Sequence, residues 1–304
     1  MKILAIVVTY NGMKWYDRCF TSLKSSTIPV DIFVADNASS DGTVDYIKTN
    51  FPAIILYESD INLGFGQANN KGMRYALDNS YDFVFLLNQD AWLARIDSIE
   101  QLINSYSKYP EFAIISPIQL YGHGNAIIKS VQKNLIIYDS NNNDILSDFY
   151  LGNQLNNIYP VDYVCAAAWL IPKLILQNIG GFDPLFFHYG EDDNYMHRVV
   201  FHGFKIGICP YSSICHDIEN RKEDYGGKYN NWEKNFLVNL ANINDSLFLN
   251  REIFQKFYLS IIKLLTLRFK SAAENFMVAI FILRNKTTIK ISRSVNRQTS
   301  QNWL

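Results

Sequence analysis

Four apolar runs open this chain: Lys2–Thr9, Asp31–Ala35, Ala53–Tyr57 and Phe83–Leu87. Each ends in a polar turn, and helix-like patterns fill the intervals up to about Ser25, from near Thr43 and up to about Leu77. Strands and helices alternating at this spacing form a parallel sheet with helices on both faces. The nearly unbroken apolar character of Lys2–Thr9 is what a strand buried on both sides requires. Ser40 or Asp41 is the candidate cap of the helix that begins near Thr43. The class expected is therefore α/β, with a single, mostly parallel sheet and flanking helices.

In open sheets of this kind ligands bind beyond the carboxyl ends of the strands. Three polar clusters fall at those ends: Thr9-Tyr10-Asn11, Asp36-Asn37 and Asn88-Gln89-Asp90. One such cluster is an ordinary turn, whereas three on one edge point to a site. A carboxylate such as Asp90 at the end of a buried strand can hold a hard divalent cation through oxygen. Such an ion would neutralise a diphosphate leaving group. The competing reading of Asp90 is a turn or cap residue.

Further along, the signals are of other kinds. From about Ser116 to Pro160, in stretches such as "YGHGN" and "DSNNND", the chain reads as hairpins and loops. Strands are expected over Tyr163–Ile171 and Lys205–Cys209, a short helix before Gly180, and a helix from Glu191 to about His202 that Gly203 ends. Glu191-Asp192-Asp193 places three acids in succession. They are either first-turn acids favoured by the helix dipole or a general base held at a helix start. His216 is either a satisfied histidine or a partner for metal or phosphate. The segment Asn62–Gly72 is only loosely like a phosphate-cradling loop, being neither Gly-x-Gly-x-x-Gly nor a P-loop.

Beyond Asn230 the chain reads as helical. Residues 251–304 carry ten Lys or Arg and two Glu, a charge of +8, against −9 for the first 250 residues. Lys256, Lys263 and Lys270 recur every seven residues as a narrow basic stripe on a wide apolar helix face. A basic end on an acidic body suits an anionic surface, while the charge of the body opposes nucleic-acid binding. The four cysteines are too few and too scattered for a disulfide framework or a zinc site. Free thiols in a reducing compartment are the expectation. Met1–Val8 begins a strand without a cleavage region, so no signal peptide is expected, and no apolar run reaches membrane-spanning length.

Taken in order, "VVTYNG", "VADNASSDGT", "NLGFGQANNKG", "LLNQDAWL", "IGGFDPLFFHYGEDDNYMHR" and "ICHD" resemble the motifs of the family 2 glycosyltransferases, over about Leu4–Asp217. "NQD" is close to the Asp-Gln-Asp form of bacterial rhamnosyltransferase-like members. The resemblance implies the GT-A fold, with a Rossmann-like nucleotide-binding sheet and here a helical extension. Residues 1–230 would form the catalytic domain, 1–95 as its nucleotide-sugar half and 96–230 as its acceptor half, and 231–304 the basic amphipathic extension.

The same resemblance implies the roles of the site residues. Thr9, Tyr10 and Asp36 would hold the base and ribose, with Asn11, Asn70, Asn88 and Gln89 also on the nucleotide side. Asp90 would coordinate Mg2+ or Mn2+ on the diphosphate, and His216 would add a contact to that metal or to the phosphates. Asp192 would be the general base, with Glu191 flanking it. Two positions depart from the family pattern. Asn88 replaces the first Asp of the metal motif, and Asn194 replaces the second Asp of the longer acidic motif, with Asp193 inserted before it.

The implied activity is inverting transfer of a sugar from UDP or dTDP to a glycan or lipid-linked acceptor, in bacterial surface polysaccharide synthesis. The implied location is the cytoplasm, peripheral to the inner face of the cell membrane through residues 251–297, and the alternative use of those helices is to cover the catalytic domain or to form a homodimer contact. The competing function is a catalytically silent nucleotide-sugar or glycan-binding module. A dehydrogenase is disfavoured because no glycine fingerprint follows the first strand, and a nucleotidyltransferase because no basic glycine-rich loop does.

Overall fold

The computed structural model describes residues 1–135, 145–220 and 231–304. The "DSNNND" stretch and residue 230, the expected end of the catalytic domain, lie outside the described residues. The first half alternates as β1 (Ile3–Thr9), α1 (Tyr16–Lys24), β2 (Asp31–Asp36), α2 (Thr43–Asn50), β3 (Ile55–Glu58), α3 (Phe65–Asp78) and β4 (Phe83–Leu87). It continues through β5 (Ala91–Leu93), α4 (Ser98–Lys108), β6 (Phe112–Tyr121), α5 (Lys129–Asn134), α6 (Ile145–Leu151), β7 (Tyr159–Pro160), β8 (Ala168–Pro172), α7 (Lys173–Asn178), α8 (Glu191–Phe201) and β9 (Lys205–His216). Among the described residues that follow are the helices α9 (Asn231–Ala241), α10 (Leu249–Leu265) and α11 (Phe269–Asn296).

The strands form one sheet in the order β3-β2-β1-β4-β8-β6-β9-β5, with β7 paired to β9. The sheet is mixed. The first four strands are mutually parallel, as is the β6–β9 pair, while β8 runs antiparallel to β4 and β6, and β5 and β7 run antiparallel to β9. Side chains alternate across it as the pleat requires. Leu4 and Ile6 join Phe33, Val84, Met73 and Trp169 in one apolar layer, and Ile3, Ala5 and Val7 join Phe20, Val34, Phe85 and Leu102 in the other. Burial on both faces is why β1 and β4 read as unbroken apolar runs.

The cap of α2 differs in detail from expectation. Gly42 sits at the cap in a left-handed conformation, and the Asp41 carboxylate reaches past it to accept the Thr43 backbone N–H at 3.1 Å. The strand expected over Lys205–Cys209 continues to His216. Its ladder with β6 shifts register across Pro210-Tyr211-Ser212, because Pro117 pairs with Cys209 and Ile118 with Ser213. This is a bulge, which accommodates a proline that cannot donate to the ladder. The strand expected over Tyr163–Ile171 is shorter and begins at Ala168. The seven-residue basic stripe is divided, because the chain turns at Thr266–Arg268 and places Lys270 on the next helix.

The helical region is bolted to the sheet domain at one end. Leu237, Leu240, Phe281, Ile282 and Ile289 share a core with Leu185 and Phe186. The Arg293 guanidinium is buried and donates to the carbonyls of Leu240 (3.0 Å), Asn242 and Asp245 (2.6 Å). Arg293 is thereby withdrawn from the basic surface expected over 251–297. All four cysteines are free.

Candidate active site

The carboxyl ends of β1, β2 and β4 meet at one edge of the sheet, where register pairs Thr9 with Asp36. The residues there first hold one another. The buried Asp36 carboxylate accepts from the Thr9 hydroxyl (2.9 Å), the Ser39 hydroxyl (2.6 Å) and the Ser39 backbone N–H (2.9 Å). Gln89 clamps the exit of β1, with Oε1 accepting from Tyr10 N (2.9 Å) and Nε2 donating to Tyr10 O (3.2 Å). Asn11 adopts φ +49, and its Oδ1 accepts the Ser40 N–H at 2.8 Å, tying the first two loops together. These contacts make the rim rigid, as a preorganised site requires.

Beyond β4 the chain turns into β5, and the antiparallel pairing of Ala91 with His216 sets His216 beside Asp90. His216 Nε2 lies 3.2 Å from Asp90 Oδ1 and 3.5 Å from Asn88 Nδ2. Both side chains are almost completely enclosed, at 4% and 2% exposure. A carboxylate and an imidazole brought together in an enclosed niche, with an amide alongside, are donors suited to Mg2+ or Mn2+ when substrate phosphates supply the other oxygens. Among the described residues there is no group of three or more His, Cys, Asp or Glu that could hold a metal without such help.

A cleft opens over this niche. Its walls are Val8 and Tyr10 from β1, Asn37 after β2, Asn62, Gly64 and Phe65 at the entry to α3, Asn88, Gln89 and Asp90 after β4, and Phe187 and His188 before α8. Asn37 is the second member of the polar cluster at the end of β2. Its amide donates to Gly64 O (3.3 Å) and accepts from Leu63 N (3.1 Å), so it positions the glycine segment. Phe187 and His188 come from the far half of the chain, from the aromatic run that precedes the three acids.

The glycine segment has a packing role. Gly64 has φ +78, and a Cβ on it would run into the Phe187 carbonyl; a Cβ on Gly66 would sit 2.8 Å from Phe182 Cβ and 3.7 Å from Glu191 Cβ. The glycines let the entry of α3 close onto the segment that leads into α8. Gly64→Ala is expected to cost roughly 2–4 kcal/mol through left-handed strain and collision with backbone, read from the midpoint of chemical denaturation. Asn70 belongs to the same seam. Its Oδ1 accepts Phe182 N (2.7 Å) and its Nδ2 donates to Phe182 O (2.8 Å) and Trp303 O (3.1 Å). Asn70, expected on the nucleotide side, does not line the cleft, and its amide ties α3 to the segment before α8.

The three acids occupy the first turn of α8, after Gly190 in a left-handed cap. Asp192 stands four residues beyond the cleft residue His188. Its carboxylate accepts from the Tyr163 hydroxyl (2.9 Å) and from Asp193 N (3.0 Å). Burial raises the Asp192 pKa despite these donors. Burial, then the Asp192 charge, pushes Glu191 up to about 8, and the same causes push Asp193 up to about 7. Glu191 Oε2 is enclosed without a partner among the described residues. Burial thus favours the neutral form across the cluster, and Asp192 is the member whose carboxylate accepts from both the Tyr163 hydroxyl and the Asp193 backbone N–H. Tyr163 was not foreseen, because its contact crosses 29 residues of sequence. Arg198, the arginine six residues on, is buried and donates to Gly181 O (2.6 Å) and Ile179 O, fixing the turn before the acidic helix.

Comparison with known proteins gives the family and the fold. Residues 4–178 match the family model described as Glycosyl transferase family 2. The chain is 24% identical over 230 residues to the N-acetylglucosaminyl-diphospho-decaprenol L-rhamnosyltransferase of Mycobacterium tuberculosis, covering 69% of this chain and 74% of that protein. It is also 24% identical over 213 residues to the low-salt glycan biosynthesis hexosyltransferase Agl10 of Haloferax volcanii, covering 70% of this chain and 66% of that protein. Among solved structures, S. aureus TarS 1–349 in complex with UDP-GlcNAc superposes with a TM-score of 0.57 at 15% identity, over 82% of this chain and 68% of that one. GalNAc-T7 with UDP, GalNAc and Mn2+ gives 0.64 at 17%, over 100% and 55%. The fold is that of the GT-A glycosyltransferases.

Proposed function

The chain belongs to glycosyl transferase family 2, and on that premise we propose that it is an inverting, metal-dependent transferase. In this reading it moves a hexosyl or deoxyhexosyl group from UDP or dTDP to a hydroxyl of a glycan or lipid-linked acceptor, in bacterial surface polysaccharide synthesis. The observation that carries the proposal is the enclosed Asp90–His216 pair, 3.2 Å apart at the strand ends beneath the cleft. Relatives that are a rhamnosyltransferase and a hexosyltransferase support the sugar class. Peripheral placement at the cytoplasmic face of a membrane belongs to the same reading, because a lipid-linked acceptor would be presented there. Residues 1–95 would serve the donor and 96–230 the acceptor, with 231–304 as the extension.

The chemistry follows from placement. The donor would lie along the cleft with its diphosphate over Asp90, Asn88 and His216, and its nucleoside toward Tyr10 and the rim that Asp36 and Thr9 stiffen. A bound Mg2+ or Mn2+, held by Asp90 and His216, would supply positive charge to the leaving diphosphate. Asp192 would take the proton of the acceptor hydroxyl as its oxygen bonds to the anomeric carbon. The bond from that carbon to the phosphate oxygen breaks, and the nucleoside diphosphate leaves with the electron pair. Attack and departure on opposite faces of the sugar invert the anomeric configuration.

Thermal-shift and calorimetric titration with UDP, dTDP, GDP and CMP, each with and without Mn2+, tests the donor side. UDP or dTDP with Mn2+ is expected to stabilise the fold by about 3 kcal/mol at a hundredfold excess over Kd. No response to any nucleotide would overturn the proposal. Binding with no sugar transfer to any acceptor would favour the silent module, for which Asn88 and Asn194 speak.

A further inference from the structure

The base of the helical extension is anchored. Asp183, two residues before the core residue Leu185, accepts from Ser292 (2.5 Å) and Asn296 (2.7 Å) of α11. The other end is not covered in this way. Helix α10 runs back along α11, with Ser260 donating to Ala272 O at 2.8 Å, and buries only Leu249 fully. Phe254, Tyr258, Ile261 and Leu265 recur at helical spacing, so they share one face, and all four are exposed. The turn adds Leu267 and the first residue of α11 adds Phe269, both exposed, and Leu265 and Leu267 leave about three quarters of their surface in water, at 77% and 74%. A monomeric soluble protein rarely leaves so continuous an apolar strip uncovered.

Charge identifies the occupant. Over residues 249–277, Arg251, Lys256, Lys263, Arg268 and Lys270 stand against Glu252 and Glu274, a net +3. A second copy on the same face in a two-fold contact would set +3 against +3, whereas anionic headgroups neutralise it. No helix among the described residues is long and apolar enough to cross a membrane, and α10, at about 25 Å, suits lying along a surface.

We infer that the α10–α11 hairpin docks on an anionic bilayer, with the Phe254–Leu265 stripe, Leu267 of the turn and Phe269 at the start of α11 in the headgroup–acyl boundary. This rests on the membrane placement proposed above and narrows it from 251–297 to the hairpin. The Asp183 anchor then ties the cleft segment Phe187–His188 to that surface at a fixed attitude.

The test uses the full chain. Wild type is expected to co-sediment with vesicles of equal parts phosphatidylcholine and phosphatidylglycerol but not with phosphatidylcholine alone, and to be released by high salt. Leu265→Glu/Leu267→Glu is expected to weaken binding at least about tenfold with no change in oligomeric mass. Lys263→Glu/Lys270→Glu, which leaves the apolar strip intact, is expected to lose the preference for the anionic vesicles. Absence of wild-type binding, or undiminished binding by both variants, would overturn the inference. So would a wild-type dimer that the leucine variant converts to monomer, since a second copy would then cover the strip. The UDP and Mn2+ thermal shift, read on the same proteins, reports the transferase reading separately. A retained shift without vesicle binding sinks the docking alone, and vesicle binding without a shift sinks the donor assignment alone.

Discussion

Asp90→Asn is expected to lower kcat/KM by about 10²–10³-fold and to remove the Mn2+-dependent part of the nucleotide thermal shift. The substitution keeps the shape of a side chain that is 2% exposed and leaves an amide oxygen facing His216. The fold should therefore persist, and the loss should be one of charge. A carboxylate can hold a divalent cation against a diphosphate, whereas a neutral amide contributes only a weak oxygen dipole. His216→Gln is expected to cost less, because it removes one donor and no negative charge. Circular dichroism and the denaturation midpoint establish that both variants are folded. Unchanged turnover in Asp90→Asn would make Asp90 a turn residue, and a metal-independent shift in the wild type would remove the cation from the site.

What the sequence made legible, and what it concealed, divides along the range of the interactions. β1 and β4 could be read because burial on both faces writes an unbroken apolar run, and the polar strand ends could be read because nothing local requires them. The pairing of Asp90 with His216 could not. It depends on β5 lying against the far end of β9, and the bulge at Pro210–Ser212 looks, in sequence, like the end of that strand. Gly64 and Gly66 announce a close approach without saying to what, and the partner is backbone and side chains more than a hundred residues away. The bonds of the Asn70 amide to Phe182 and Trp303 span more than a hundred residues and leave no local sign in its motif. The lysine spacing across Lys256, Lys263 and Lys270 suggested one helix because a turn containing Thr266, Leu267 and Arg268 carries no proline or glycine to mark it.

The choice among the three acids of α8 produces the second large effect. Asp192→Asn is expected to lower turnover by about 10²–10⁴-fold with donor binding nearly intact, since its carboxylate would act on the acceptor and not on the nucleotide. Glu191→Gln should be much milder, because burial and the neighbouring Asp192 charge push the Glu191 pKa up to about 8 and so favour its neutral form. The pH profile separates catalysis from structure. Burial raises the Asp192 pKa, and the base must be ionised. Activity should thus fall as pH falls, with an acid limb above the ordinary carboxylate value of about 3.9. Tyr163→Phe removes the hydroxyl that donates to the carboxylate at 2.9 Å. A hydrogen bond to the charged form favours that form, so its loss should push the limb to still higher pH and spare the plateau rate. A purely structural role for Tyr163 would lower activity at every pH alike. Full turnover in Asp192→Asn, with activity lost instead in Asp193→Asn, would move the base by one residue along the first turn and leave the donor side of the site as proposed.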